Sequence, residues 1–196
     1  MTRRLVLSGV MLLVFAASAF CQKGGEVFGG YSYQRTGGTG LNGFNASVTG
    51  KMNSWLGLTG EISHHIYGTS VVDSTSGFAF NADAGILGFR VGPKFTSTVN
   101  DTASFFIHTL VGGYRASISA GTTGVSVPGA PNFSVNASAT GFTAAAGGGV
   151  DIRVSPRIAV RPVQMDFIHL GSASVAGTDI GNSNGFRYTG GLVFRF

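Results

Sequence analysis

Gly185-Phe186-Arg187-Tyr188-Thr189-Gly190-Gly191-Leu192-Val193-Phe194-Arg195-Phe196 is the stretch whose reading decides the fold. One parity carries Phe186, Tyr188, Leu192, Phe194 and Phe196; the other carries Arg187, Thr189, Gly191, Val193 and Arg195. Side chains alternate across a strand, so one face is aromatic and aliphatic and the other bears two arginines. A soluble sandwich would turn the apolar face inward. A transmembrane barrel inverts this, with apolar side chains toward lipid and charge toward a polar lumen.

The start of the chain chooses between them. Arg3 and Arg4 precede an apolar run from Leu5 to Phe15, and the small residues Ala16, Ala17, Ser18 and Ala19 follow. That is the grammar of a secretory signal peptide, so residues 1–21 are expected to be removed and 22–196 to form the mature domain. Cleavage after Ala19 and cleavage after Cys21 both fit, while the bulky Phe20 argues against lipidation of Cys21. The apolar run is too short for a spanning helix, which needs roughly 20 apolar residues. Cys21 is the only cysteine, which excludes an intrachain disulfide.

Composition narrows the class. Without Arg3 and Arg4, 11 basic residues face 8 acidic ones, a net charge of +3. The basic residues are dispersed, so no nucleic-acid footprint is present. Charged residues make up 11% of the chain and glycine 32 of 196 residues, against usual values of about 25% and about 7%. With only 5 prolines, that glycine content suits strands packed closely in a small closed barrel. Membrane crossing must then be by strands.

Period-2 alternation marks eight strands. The first, Glu26 to Arg35, sets Val27, Tyr31 and Tyr33 against Ser32 and Gln34. The second, Gly43 to Lys51, sets Phe44, Ala46 and Val48 against Asn45, Ser47 and Thr49. The third runs from Trp55 to Tyr67, with Leu56, Leu58 and Ile62 opposing Thr59, Glu61 and Ser63. In the fourth, Phe78 to Phe95, Phe89 and Val91 oppose Arg90 and Lys94. The fifth, Ala103 to Ser119, is apolar on both parities and its faces stay unassigned. The sixth, Phe142 to Val154, sets Val150, Ile152 and Val154 against Asp151 and Arg153. In the seventh, Ile158 to Leu170, Arg161, Gln164 and Asp166 share a face only if one residue is inserted. A bulge at Arg161-Pro162 is therefore expected, since proline cannot donate to a ladder; a short edge strand with mixed faces is the alternative.

Links alternate in length. Met52-Asn53-Ser54, Thr98 to Thr102 and Ser155-Pro156-Arg157 are short; Thr36 to Asn42, Gly68 to Gly77, Ala120 to Gly141 and Gly171 to Gly185 are longer. Short periplasmic turns and long extracellular loops are the habit of outer-membrane barrels. The expected fold is all-β: a closed antiparallel eight-stranded up-and-down transmembrane β-barrel.

The chain resembles the eight-stranded bacterial outer-membrane β-barrel proteins, of the OmpA transmembrane-domain and OmpX kind. The resemblance is carried by Gly148 to Ile152, Ile158 to Asp166 and Phe186 to Phe196. It implies outer-membrane lipid as the surroundings and recognition by the barrel-assembly machinery, with Phe196 as the assembly signal.

Eight strands leave an interior that side chains just fill. The expected inward polar set is Lys51, Glu61, Arg90, Lys94, Asp151, Arg153, Arg161, Asp166, Arg187 and Arg195, with acids paired to bases because buried charges need partners. Tyr31, Tyr33, Trp55, Phe95, Tyr188 and Phe194 are the expected membrane-interface aromatics. A filled, salt-bridged lumen with a structural or envelope-integrity role is the leading reading, and a narrow low-conductance porin the alternative. A lipid-modifying enzyme would need a His with a Ser and a carboxylate near the outer rim. His64, His65, His108 and His169, with Ser63, Asp73 and Ser172, are the candidates, but no matching motif accompanies them. Surface interaction with an extracellular ligand would use loops 120–141 and 171–185. No cofactor, metal or nucleic-acid partner is expected.

Overall fold

The computed structural model describes residues 24–73, 78–124, 134–175, 178–180 and 182–196. The signal-peptide reading of residues 1–21 lies outside them. Eight strands close a barrel in the order β1-β10-β7-β6-β5-β4-β3-β2. They are β1 (Gly25–Thr36), β2 (Thr39–Lys51), β3 (Leu56–Asp73), β4 (Phe78–Thr98), β5 (Ala103–Gly124), β6 (Ser134–Arg153), β7 (Ile158–Leu170) and β10 (Ser183–Arg195). A small hairpin, β8 (Ala173–Val175) with β9 (Thr178–Ile180), lies between β7 and β10. Every neighbouring pair in the wall is antiparallel, and β1 closes on β10 from Glu26↔Arg195 to Thr36↔Gly185.

The two faces are inverted relative to a soluble protein. Phe186, Leu192 and Ile107 are 64%, 60% and 64% exposed, while Arg187, between two outward aromatics, is 1% exposed. The fifth strand, whose faces the sequence leaves open, turns Ser104, Phe106, His108, Leu110 and Tyr114 inward and Phe105, Ile107 and Val111 outward. The lumen is therefore part apolar. Leu110, Tyr114, Ala139, Ala145, Ile168 and Leu170 form one buried cluster, which Ala173 of β8 joins.

The bulge at Arg161-Pro162 is present, and the edge-strand alternative falls. Gln164 pairs with Thr189 and Arg161 with Gly191, so three steps on β7 match two on β10. The same surplus recurs against β6, where Val163 pairs with Val150 and Val160 with Ile152. The extra residue brings Arg161, Gln164 and Asp166 all to the buried face. It also leaves the Pro162 carbonyl on the outer face, and the Tyr188 hydroxyl donates to it at 2.7 Å.

The three short turns share one construction. Asn53 Oδ1 accepts from the backbone of Trp55 and Leu56, Asn100 Oδ1 from Thr102 and Ala103, and Ser155 Oγ from Ile158. At the opposite end, three of the links read as long are differently built. Thr36 to Asn42 is a tight hairpin through Gly37 and Gly38, whose φ values of 58° and 84° suit the mirror-image turns that match strand twist. The Gly68 to Gly77 and Ala120 to Gly141 links are largely strand, since β3 runs to Asp73, β5 to Gly124 and β6 from Ser134.

Strand lengths consequently divide the barrel. β3 to β6 have 18, 21, 22 and 20 residues, whereas β1, β2, β7 and β10 have 12 or 13. At ~2.6 Å of height per tilted residue, the shorter wall already matches an apolar band ~25 Å tall. The longer wall rises past it. Beyond Ile66 of β3 the β2 pairing ends; beyond Thr143 of β6, toward Ser134, the β7 pairing ends but β8 packs alongside, so among the described residues the raised sheet has one free side, that of β3.

The outer-face carbonyl at Pro162 yields a stability prediction. Tyr188→Phe removes its donor and should cost about 0.5–1.5 kcal/mol. Urea-driven unfolding in lipid vesicles measures it; a change within a few tenths of a kcal/mol would show that the bulge needs no such support.

Candidate functional site: the lumen network

Two layers of charge cross the barrel. In the middle layer Arg187 donates through Nη1 and Nη2 to Glu61 at 2.8 and 2.7 Å, and through Nε and Nη2 to Asp166 at 3.0 and 2.7 Å. Arg90 donates to the same Glu61 at 2.8 Å, to Ser63 at 3.1 Å and to Thr143 at 3.2 Å. Asp166 also accepts from Gln164 at 2.8 Å and lies 2.7 Å from His108 Nε2. This layer holds two acids and two arginines.

The second layer lies nearer the short turns. Arg161 donates to both oxygens of Asp151, at 2.7 and 3.2 Å, and to Gln164 at 2.9 Å. Lys94 is ion-paired with Glu26, which also lies 3.6 Å from Arg161. Arg195 reaches Ser104 at 3.2 Å and Asp151 at 3.4 Å. Aromatic rings sandwich the cations: the Arg161 guanidinium lies 4.4 Å from the Phe28 ring centre and 4.2 Å from that of Phe106, with Lys94 4.1 Å from Phe106. Such stacking suits a desolvated guanidinium.

Eight of the ten polar positions picked from sequence thus meet in these two layers: Glu61, Arg90, Lys94, Asp151, Arg161, Asp166, Arg187 and Arg195. Lys51 and Arg153 do not. Both share the inward parity but stand at the open mouth, exposed, and neither forms an ion pair among the described residues. The reason is position: each is the last residue of its strand. Glu26, His108 and Gln164 belong to the network and are absent from that set. Glu26 was legible, since Val27 and Tyr31 alternate outward on its strand and leave it on the Ser32 parity.

A corner between β1, β2 and β3 is less well satisfied. His65 Nε2 lies 2.8 Å from Ser32 Oγ, but His65 Nδ1, both polar atoms of the Asn45 amide and Gln34 Oε1 are buried without a hydrogen-bond partner. His65, late in its strand by sequence, is mid-strand and wholly buried rather than at an outer rim. His64 faces outward beside Phe44, with ring centres 5.9 Å apart, and His169 Nδ1 lies 2.7 Å from Asn184 Oδ1. Ser172 donates to Asn182 at 2.8 Å. No histidine among the described residues meets both a serine and a carboxylate.

All six aromatics chosen as interface residues face outward and are exposed. Trp55 and Phe95 stack with ring centres 5.8 Å apart at the short-turn end. Tyr33 pairs with Tyr188 three residues below the top of β1, whereas Tyr31 is halfway up the wall and its hydroxyl donates to Asn42 at 2.5 Å. Phe196 exchanges backbone bonds of 2.8 and 3.0 Å with Gly25.

Truncating the central cation should be costly. Arg187→Met strands Glu61 and Asp166 short of a buried partner and should cost ~3–5 kcal/mol. Asn45→Leu, which removes unpartnered polar atoms of similar volume, should be near neutral or stabilising. Equilibrium unfolding of both variants in one lipid system makes the comparison, and equal losses would contradict the assignment of the ion-pair layer.

No protein-family model matches the chain, and no curated protein matches it. Solved structures do. Ail, the attachment invasion locus protein of Yersinia pestis, is similar over 88% of this chain and 98% of its own, at 16% identity and a TM-score of 0.56. Its complex with the heparin analogue sucrose octasulfate gives 17% identity over 88% and 98%, with a TM-score of 0.58. A major outer membrane protein from Thermus thermophilus is 8% identical over 89% of this chain and all of its own, with a TM-score of 0.57. At these identities the likeness is one of fold. The chain has the closed eight-stranded antiparallel barrel of outer-membrane proteins.

Proposed function

We propose that residues 1–21 direct export and are removed, and that 22–196 form an integral outer-membrane barrel with a structural and surface-interaction role and no catalytic chemistry. The observation that carries this is the inversion of faces: a continuous outward belt of Phe, Leu, Ile, Val and Tyr around an interior of ion pairs. Water would penalise such an exposed belt, and lipid would not. Trp55, Phe95, Tyr33, Tyr188 and Phe194 anchor the two headgroup levels, Tyr31 adds to the belt between them, and Phe196 serves as the signal for the assembly machinery.

A filled lumen supports the structural role over a pore. Arg187, Ser32, His65, Thr143 and Thr189 are essentially inaccessible to solvent, and they come from β10, β1, β3 and β6 around the ring. A polar network satisfied from several walls holds register rather than passing solute. The raised wall supports surface contact. Its strands carry residues 120–124 and 134–141 above the shorter wall, with β8 and β9 beside them. Ail has been solved with a sulfated sugar, so a barrel of this fold can carry a ligand; the partner of this chain is to be sought at the raised wall.

Sarkosyl fractionation with gel migration of heated and unheated protein tests the location. Retention in the sarkosyl-insoluble fraction and heat-dependent migration are expected, and recovery as a soluble periplasmic protein would overturn it. In planar bilayers the protein should stay silent across wide voltage and salt ranges. Discrete, reproducible conductance steps would replace the filled-barrel reading with the porin.

A further inference from the structure

The two charge layers are not equally balanced. Glu61 and Asp166 match Arg90 and Arg187, but in the layer near the turns Glu26 and Asp151 face three cations, Lys94, Arg161 and Arg195. The surplus falls on Arg195. It is the most loosely held of the three, at 3.4 Å from Asp151 and 3.8 Å from Glu26, and its Nε is buried without a hydrogen-bond partner.

Arg195 opens onto a cavity at the short-turn mouth, and the same cavity is lined by Lys51 and Arg153. These two come from β2 and β6, which lie diametrically opposite in the ring. Neither has an acidic partner among the described residues. The one carboxylate in the lining is Glu26, already held by Lys94. Ser104, Thr98 and Ser54 add hydroxyls. Asp101, in the β4–β5 turn, does not line it. Three cations lining one cavity from separate walls, with hydroxyl groups among them and one cation more than the acids beside it can balance, suit an anion rather than a face that merely stays hydrated.

We propose that the short-turn mouth of the barrel binds a small oxyanion, a phosphate group, between Lys51, Arg153 and Arg195. The phosphate is either free or the headgroup of a phospholipid, and the chemistry of capture is the same. This site needs only the folded barrel, so it stands or falls separately from the membrane and surface roles proposed above.

The test uses isotope-labelled, folded protein in a neutral detergent, titrated with sodium phosphate while sodium chloride holds ionic strength constant. A second arm uses dihexanoyl phosphatidylglycerol below its micellar concentration. Saturable amide shifts centred on Lys51, Ser54, Thr98, Ser104, Arg153 and Arg195 are expected in at least one arm. Saturation by inorganic phosphate identifies the free ion, and saturation by the lipid alone identifies the headgroup. The Lys51→Gln, Arg153→Gln double variant changes exposed side chains outside the ion-pair network, so it should keep its heat-dependent migration. It should bind about ten-fold more weakly or less well still. Linear shifts indistinguishable from those of chloride, or undiminished binding by the double variant, would overturn the proposal.

Discussion

A guanidinium with no access to water organises this barrel. Arg187 of β10 bonds Glu61 of β3 and Asp166 of β7 at once, and Glu61 passes the link to Arg90 of β4, which reaches Thr143 of β6. Five of the eight wall strands are thereby tied across the lumen, not only along their edges. Backbone ladders specify that neighbours pair; they do not specify which register. A one-residue slip in any of these strands would turn Arg187, Glu61 or Asp166 into lipid and leave its partners charged and alone. Register is thus enforced from inside.

That network demands room, and glycine supplies it. A Cβ at Gly147 would collide with Asp166, one at Gly149 with the Phe106 ring, and one at Gly88 would press on Ser63 and the Arg90 guanidinium. Where neighbouring strands run close, the obstruction is backbone: Gly30 and Gly191 face each other across the β1–β10 seam. The glycine content is therefore a matter of volume. A barrel this narrow accommodates long charged side chains only by deleting others. The same economy explains Phe28 and Phe106, whose rings cover the cations that the carboxylates leave open.

Much of this was legible in the chain. The final strand shows its two faces directly, and the inserted residue at Arg161-Pro162 follows from parity alone, because Arg161, Gln164 and Asp166 cannot otherwise share a side. The faces of β5 were not legible. An interior that is partly apolar makes Phe106 and Leu110 as suitable inward as Phe105 and Ile107 are outward, so alternation carries no contrast. His108 was lost with that strand. Strand lengths were obscured for a related reason. Beyond the lipid both faces of a strand meet water, and the Gly, Ser, Thr and Ala residues of the raised wall read as loop. The Gly37-Gly38 turn was missed because Thr39 to Asn42 has the composition of a loop but the register of a strand.

The two ends of the barrel obey different physical demands, and this sets where function can reside. At the short-turn end every connection is four residues long, and a side chain bonds the turn backbone in each of the three. At the other end a two-residue turn stands opposite strands of 18–22 residues. Such a difference in height exposes the free side of β3 beyond Ile66, where backbone donors and acceptors have no partner strand on that side among the described residues. Natural sheets do not leave long edges open without a reason, since an open edge invites pairing with other chains. Between them the interior charges are committed to holding the barrel together, and the unpartnered polar atoms of Gln34, Asn45 and His65 are the exception. The raised sheet offers backbone and shape, and the mouth below offers cations, which is why the contacts proposed above are placed at the rims and not within the lumen.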